Sequence, residues 1–235
     1  MPVYVKTRAG YGDRPAAPGV ELFTTLLARE LGLSAPEPVL VDVPANFHEQ
    51  VFEHPQHREL LARSAGVNFG TVSLGPDWKT WPVGMSVRAF PPTTLEAILV
   101  FDALVQHTDR APDNPNLLWR GHELVVLDHE KCFGYLGLAA EESRPWRAFF
   151  RHDPLATHCF LGVGRAIAQS GTFGQEVWER LLELELAGKV SGLAQAAAEA
   201  FPASEVELSR ICVYLEKLFR GMDDFFGHLR HVLTR

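Results

Sequence analysis

Residues 101–128 read FDALVQHTDRAPDNPNLLWRGHELVVLD, and the fold turns on how this stretch is parsed. It begins inside an apolar run, LEAILVFDALVQH, whose continuous hydrophobicity predicts a buried helix. The run passes into Thr108-Asp109-Arg110 and then a Pro/Asn-rich segment, APDNPNLLW, with the chemistry of a loop. Gly121-His122 predicts a turn, and Leu124-Val125-Val126-Leu127 a buried strand that ends at Asp128-His129. A helix, an acidic loop and a hairpin ending in a carboxylate thus hold several polar groups on hydrophobic supports.

Those polar groups are suited to one another. Asn114 offers a neutral carbonyl oxygen and Asp128 an anionic one, both hard ligands of the kind Mg²⁺ takes. Asp109, at the head of the same loop, can accept a proton from an attacking hydroxyl or orient it. Phosphoryl transfer uses this division between a charge-neutralising metal and a carboxylate that positions the nucleophile. The Asp-x4-Asn spacing alone is weak, since an Asx turn or an N-cap uses the same residues. A strand-terminal Asp that caps the next turn is equally ordinary. The buried helix before the loop and the strand after it make the combination informative.

Working outward, Val3-Tyr4-Val5 is a short strand that reaches Lys6. Gly10 to Gly19 reads as a connector, and Val20 to Leu33 as a helix stopped by Gly32. Val39–Val43 is strand-like between Pro38 and Pro44, residues 46–63 are polar and helical in part, and Gly66–Leu74 is a further strand. Pro82, Gly84, Pro91 and Pro92 set a boundary near residue 90. Thr93 with Glu96 has the pattern of a capping box. From about Asp153 onward three or four helices are expected, with starts at Thr172/Gln175 and Ser204/Glu207. Leu208, Ile211, Tyr214, Leu215 and Leu218 form one core-facing helical stripe.

Composition narrows the function classes. The 235 residues are 46% hydrophobic and 22% charged, with a formal net charge of −7 and no basic block. A nucleic-acid backbone or an anionic membrane surface is therefore not the expected partner. Cys132, Cys159 and Cys212 are odd in number and widely spaced, which fits buried thiols in a reducing cytoplasm. His48, His54 and His57 have a metal-like spacing but no acidic or thiol partner, so a solvated polar helix is favoured. Trp78 and Trp81 could stack on a base, with core or hinge packing the simpler expectation. Ser73 and Ser86 lie in no nucleophile elbow, so nothing points to a serine hydrolase.

Two stretches, FDALVQHTDRAPDNPNLLW and LVVLDHEKCFG, resemble the catalytic loop and metal-binding Asp of HipA-like kinases, with DH where protein kinases have DFG. YVKTRAG and ELFTTLLARELGLSAPEPVLVDVP are similar to that family's lysine strand, glutamate helix and following strand, and Phe69-Gly70 matches too. The resemblance covers about residues 4–135 and points to the small stand-alone branch of the family, with a more remote likeness to protein and phosphoinositide kinases.

It implies an α+β, two-lobed, protein-kinase-like fold. A small N-terminal lobe (residues 1–90) of strands plus the Glu21 helix precedes a helical lobe (residues 91–235) carrying catalytic loop 107–118 and Asp128. Asp109 would be the catalytic carboxylate, and Asn114 and Asp128 the Mg²⁺ ligands. Lys6 would hold the ATP phosphates, paired with Glu21. Arg110 is expected to brace the loop, and His129 to orient the site or make a structural hydrogen bond. The implied activity is ATP/Mg²⁺-dependent phosphoryl transfer to a hydroxyl, expected on a protein Ser or Thr, in the cytoplasm.

The sequence departs from the family at Ala111, where a histidine is common, and at His107, where Asn is usual. Lys6 also follows Met1 by only five residues, which leaves no room for a glycine-rich phosphate cover before it. The alternatives are therefore a non-catalytic nucleotide-binding or regulatory module of kinase fold, and a Mg²⁺-dependent phosphohydrolase using Asp109 and Asp128.

Overall fold

The computed structural model describes residues 1–50, 54–138, 143–152 and 155–235. The architecture is α+β, as the pattern predicts. Strand β1 (Val3–Lys6) leads through a short 3-10 turn into helix α1 (Ala17–Glu30), followed by β2 (Pro38–Val43), α2 (Pro55–Ala62) and β3 (Gly66–Val72). The three strands form an antiparallel sheet in the order β1-β3-β2. Lys6 stands opposite Phe69, and Val5 opposite Gly70. A side chain at Gly70 would have its Cβ 3.0 Å from the Tyr4 carbonyl oxygen, so a glycine lets the two strands close up.

Next come β4 (Lys79–Thr80), the buried helix α3 (Pro92–Leu104), β5 (Leu117–Arg120) and β6 (Glu123–Val126). These strands form a second antiparallel sheet, β4-β5-β6. The hairpin β5–β6 turns at Gly121, which has φ +58°. The Val126 amide donates to Ser34 O at 2.9 Å, tying the hairpin to the segment after α1 and so fixing Asp128 relative to Glu21. Helices α4 (Trp146–Arg151), α5 (Leu161–Ile167), α6 (Gln175–Leu186), α7 (Lys189–Ala200), α8 (Glu205–Arg220) and α9 (Met222–Leu233) complete the chain. One hydrophobic cluster runs from Val20 and Phe69 through α3 to Leu233.

Several local expectations change. Pro18 and Gly19, read as connector, lie in the first turn of α1. Proline is tolerated there because its missing N–H has no helical partner to lose. The Thr93/Glu96 capping box does not form, because Pro91-Pro92 starts the helix earlier and leaves Thr93 inside it. Glu96 instead accepts from the Gly174 amide at 2.6 Å, joining α3 to the start of α6. Ser204 flanks α8 as expected, but its hydroxyl turns back to Phe201 O at 2.6 Å. Beyond Asp153, which itself lies outside the described residues, there are five helices instead of three or four. The stripe Leu208, Ile211, Tyr214, Leu215 and Leu218 is buried, and Trp81 packs on Phe90 in the core.

Candidate active site

Two clusters of charge meet where α1, the 107–118 loop and the end of β6 converge. The first centres on Lys6 at the end of β1. Its Nζ lies 2.9 Å from Glu21 Oε2, 2.5 Å from Asp128 Oδ1 and 2.5 Å from Glu130 Oε2. Arg14 also pairs with Glu130, and the Tyr11 ring lies beneath the Lys6 ammonium, its centroid 5.3 Å away. Glu21 projects from α1 into the interior, and its other oxygen accepts from the His129 amide at 3.3 Å.

Three carboxylates around one ammonium leave surplus negative charge. Burial works against the charged form of Lys6, but Glu21 and its neighbours prevail and hold its pKa above the usual lysine value. Glu21 is pushed up to about 7: burial raises it, Lys6 only partly offsets that, and Asp128 and Glu130 add repulsion. Asp128 adopts φ +63°, a left-handed conformation that Asp tolerates better than most residues. Beside it, His129 is buried, and burial holds its pKa well below the usual imidazole value, so the ring is neutral. Its Nδ1 lies 3.1 Å from Thr25 Oγ1.

The second cluster is built on the loop. Asp109 Oδ2 accepts from Asn114 Nδ2 at 3.1 Å and from Lys131 Nζ at 2.8 Å. Asn116 Nδ2 donates to the Asp109 carbonyl at 3.1 Å, and the Ala111 and Asn114 backbones exchange hydrogen bonds of 3.2 and 3.1 Å. Burial alone would raise the Asp109 pKa, but the Lys131 and Asn114 hydrogen bonds hold it below the usual carboxylate value.

Beneath the loop lies a third, fully buried set. Arg110 Nε and Nη2 reach Asp102 Oδ2 and Oδ1 at 2.5 and 3.1 Å. Its Nη1 donates to Pro115 O and Asn116 O at 3.1 and 2.7 Å, which stitches the loop to α3. The Phe160 amide donates to His158 Nδ1, so the His158 proton sits on Nε2 and is given to Asp102 Oδ2 at 2.9 Å. Burial would raise the Asp102 pKa, but the Arg110 guanidinium keeps it well below the usual carboxylate range.

The expected residues therefore gather in two groups: Lys6, Glu21 and Asp128 in one, Asp109 and Asn114 in the other. The groups are linked by Leu127 N donating to Asn116 O at 3.1 Å, and by His107 Nε2, 3.2 Å from Asp128 O. No hydrogen bond joins Asn114 to Asp128 among the described residues. The Asn114 amide nitrogen faces Asp109, and its oxygen, the atom expected to ligate a metal, has no hydrogen-bond partner among the described residues. Glu21, Asp128 and Glu130 each place an oxygen within 4.8 Å of the others. Hard oxygens with surplus negative charge fit a divalent cation such as Mg²⁺.

Two adjoining cavities of about 240 and 380 Å³ open beside this site and share Tyr4, Pro36, Thr71 and Leu127. Lys6, Glu21 and Asp128 line the first, and Trp78 and Leu118 the second.

Sequence reasoning missed Glu130, Lys131, Arg14 and Asp102. Asp102 carried a readable signal, a carboxylate inside an otherwise apolar helix, which has to find a buried partner. Glu130 and Lys131 sit two and three residues past Asp128, but their use depends on the turn that follows.

The α+β scaffold presents a lysine–glutamate pair, a carboxylate suited to a metal and a separate loop Asp. The family model for HipA-like kinases matches residues 4–141, more than half of the chain, and the chain belongs to that family. The family is one of kinase-type phosphotransferases, which take ATP with a divalent metal. No curated protein and no solved structure matches the chain.

Proposed function

We propose that this protein transfers the γ-phosphoryl group of ATP, with Mg²⁺, to a hydroxyl, expected on a Ser or Thr of a protein substrate. The observation that carries the reading is the separation of roles: Lys6 bound by Glu21 and Asp128 on one side, Asp109 with Asn114 on the other. Lys6 would meet the α/β-phosphates, with Glu21 aiming it. Asp128 and Asn114, with Glu130 close by, are the residues that would hold Mg²⁺, which when bound neutralises phosphate charge. Asp109 would orient the acceptor hydroxyl and take its proton. Arg110 keeps the loop in shape through Asp102 and never meets substrate, and neutral His129 fixes the Asp128 end by packing and one hydrogen bond.

The nucleobase would enter the larger cavity beside Trp78, while Trp81 remains a core residue. The small lobe (1–90) would supply Lys6 and Glu21, and the larger (91–235) the loop and Asp128. Free thiols at Cys132, Cys159 and Cys212 favour a cytoplasmic setting. Among the described residues no helix is long and apolar enough to cross a membrane.

A second reading, a non-catalytic nucleotide-binding module, is favoured by one observation: Lys6 is already engaged by three carboxylates, and a nucleotide must compete for it. Thermal shift with ATP and Mg²⁺, followed by transfer of labelled γ-phosphate, separates the two. Turnover lost in Asp109→Ala supports the kinase. Nucleotide binding without turnover leaves the module, and phosphate release from a model ester without acceptor would instead favour a phosphohydrolase.

A further inference from the structure

A loop that stages phosphoryl transfer needs positive charge where the γ-phosphoryl passes, because negative charge is spread over its equatorial oxygens. Within residues 107–118 only His107 and Arg110 can carry such charge. Both are fully buried and turned toward Asp102, and position 111, two residues after Asp109, is alanine. The loop therefore brings no cation of its own to the cleft.

Lys131 supplies one from the neighbouring turn. Its ammonium lies 2.8 Å from Asp109 Oδ2, and its side chain is 49% exposed. The turn that carries it is firmly anchored. Cys132 N donates to His129 O at 3.1 Å, and Phe133 N to Val105 O at 2.7 Å. Phe133, at φ +61°, buries its ring 6.2 Å from that of Phe23 and 5.9 Å from that of Tyr214. A long flexible stem on a fixed base lets the ammonium move while its root stays in place. An ion pair this exposed holds weakly, so leaving Asp109 costs little.

We infer that Lys131 is a catalytic residue of the transfer proposed above: its ammonium rests on Asp109 and shifts onto the γ-phosphoryl oxygens as the reaction proceeds. An acceptor hydroxyl bound to Asp109 places the phosphorus within one hydrogen-bonded step of Lys131 Nζ. In the transfer, the hydroxyl oxygen forms its bond to phosphorus while the bond to the β–γ bridging oxygen breaks. The leaving ADP keeps that electron pair, and the hydroxyl proton passes to Asp109. Lys131 remains an ammonium throughout and serves as a movable counter-charge. The inference rests on the phosphotransferase reading, but it can be tested without turnover.

The test compares wild type, Lys131→Ala, Lys131→Gln and Lys131→Arg in two measurements: affinity for ADP and for a non-hydrolysable ATP analogue with Mg²⁺, and transfer of labelled γ-phosphate to the protein itself or to water. Removal of Lys131 should lower turnover by on the order of 100-fold, the loss seen when one charge-stabilising donor is deleted. It should weaken the ATP analogue about tenfold relative to ADP, the equivalent of about 1.4 kcal/mol. Lys131→Arg should keep much of both. If Ala and Gln leave turnover and the analogue-to-ADP ratio as in wild type, the role of Lys131 is overturned while the kinase reading stands. If wild type binds the nucleotides but does not turn over, the ratio alone decides the matter. If wild type binds neither nucleotide, both readings fall together.

Discussion

Asp109 and Arg110 are neighbours in the chain and belong to opposite worlds. The Asp109 side chain is 25% exposed and pairs with a half-exposed lysine, whereas Arg110 and its partner Asp102 have no exposed side-chain surface at all. Water screens the first pair and makes it easy to break. The second is locked, because separating it would strand a charge in the interior. A single step along the loop thus divides the group proposed to react from the group that keeps it in place. Polar residues of similar type serve chemistry or rigidity according to solvent access.

The largest expected effect breaks the buried side of this contrast. Arg110→Ala or Asp102→Ala should destabilise the fold by about 3–5 kcal/mol, read by chemical denaturation. Replacing both with apolar residues should cost less than either single change, because no lone charge remains. A double substitution as damaging as the sum of the singles would show that the pair does more than cancel charge. On the exposed side, Asp109→Asn should lower phosphoryl transfer by about 10²–10⁴-fold. Its denaturation midpoint should stay close to wild type, and a large stability loss would place Asp109 with Arg110 instead of against it.

A pH experiment sharpens the comparison at the Lys6 cluster. Glu21, with its folded pKa raised to about 7 from the ordinary glutamate value of 4.5, binds more protons folded than unfolded across that window. Its contribution to stability therefore falls as pH rises from about 4.5 through 7. The buried neutral His129 and His158 act in the opposite sense, destabilising the fold as pH drops below the usual imidazole value. The raw curve mixes these effects, so the readout is the difference between wild type and Glu21→Gln. The variant should gain stability relative to wild type between pH 5 and pH 8, and a flat difference would mean that Glu21 stays ionised throughout. The smallest effect is expected for Lys131→Ala, which should change stability by less than about 1 kcal/mol.

Much of the fold was legible because hydrophobic periodicity and proline and glycine punctuation report local structure directly. The apolar helix before Asp109 and the Gly121 turn stand where the pattern puts them, and the strand after the turn runs Glu123–Val126, ending two residues short of Asp128. What stayed hidden depends on distant partners. Glu96 satisfies the start of α6 and not its own helix, because two prolines had already set the helix start. The meeting of Lys6 with Glu21 was expected from resemblance, whereas the direct contact of Lys6 with Asp128 was not, and the addition of Glu130 and Arg14 depends on how the turn after Asp128 comes to lie beside the segment before α1. Nothing within the four letters DHEK says that the glutamate will face one cluster and the lysine the other.

The left-handed backbone at Asp128 has a practical consequence for anyone dissecting this protein by mutagenesis. Alanine there changes two things at once, deleting the carboxylate and forcing a Cβ-bearing residue without a helpful polar group into a conformation that costs roughly 1–2 kcal/mol. Asparagine keeps the backbone preference and removes only the charge, while glycine removes the side chain and relaxes the main chain. The trio separates the carboxylate's electrostatics from the geometry of the bend that presents it.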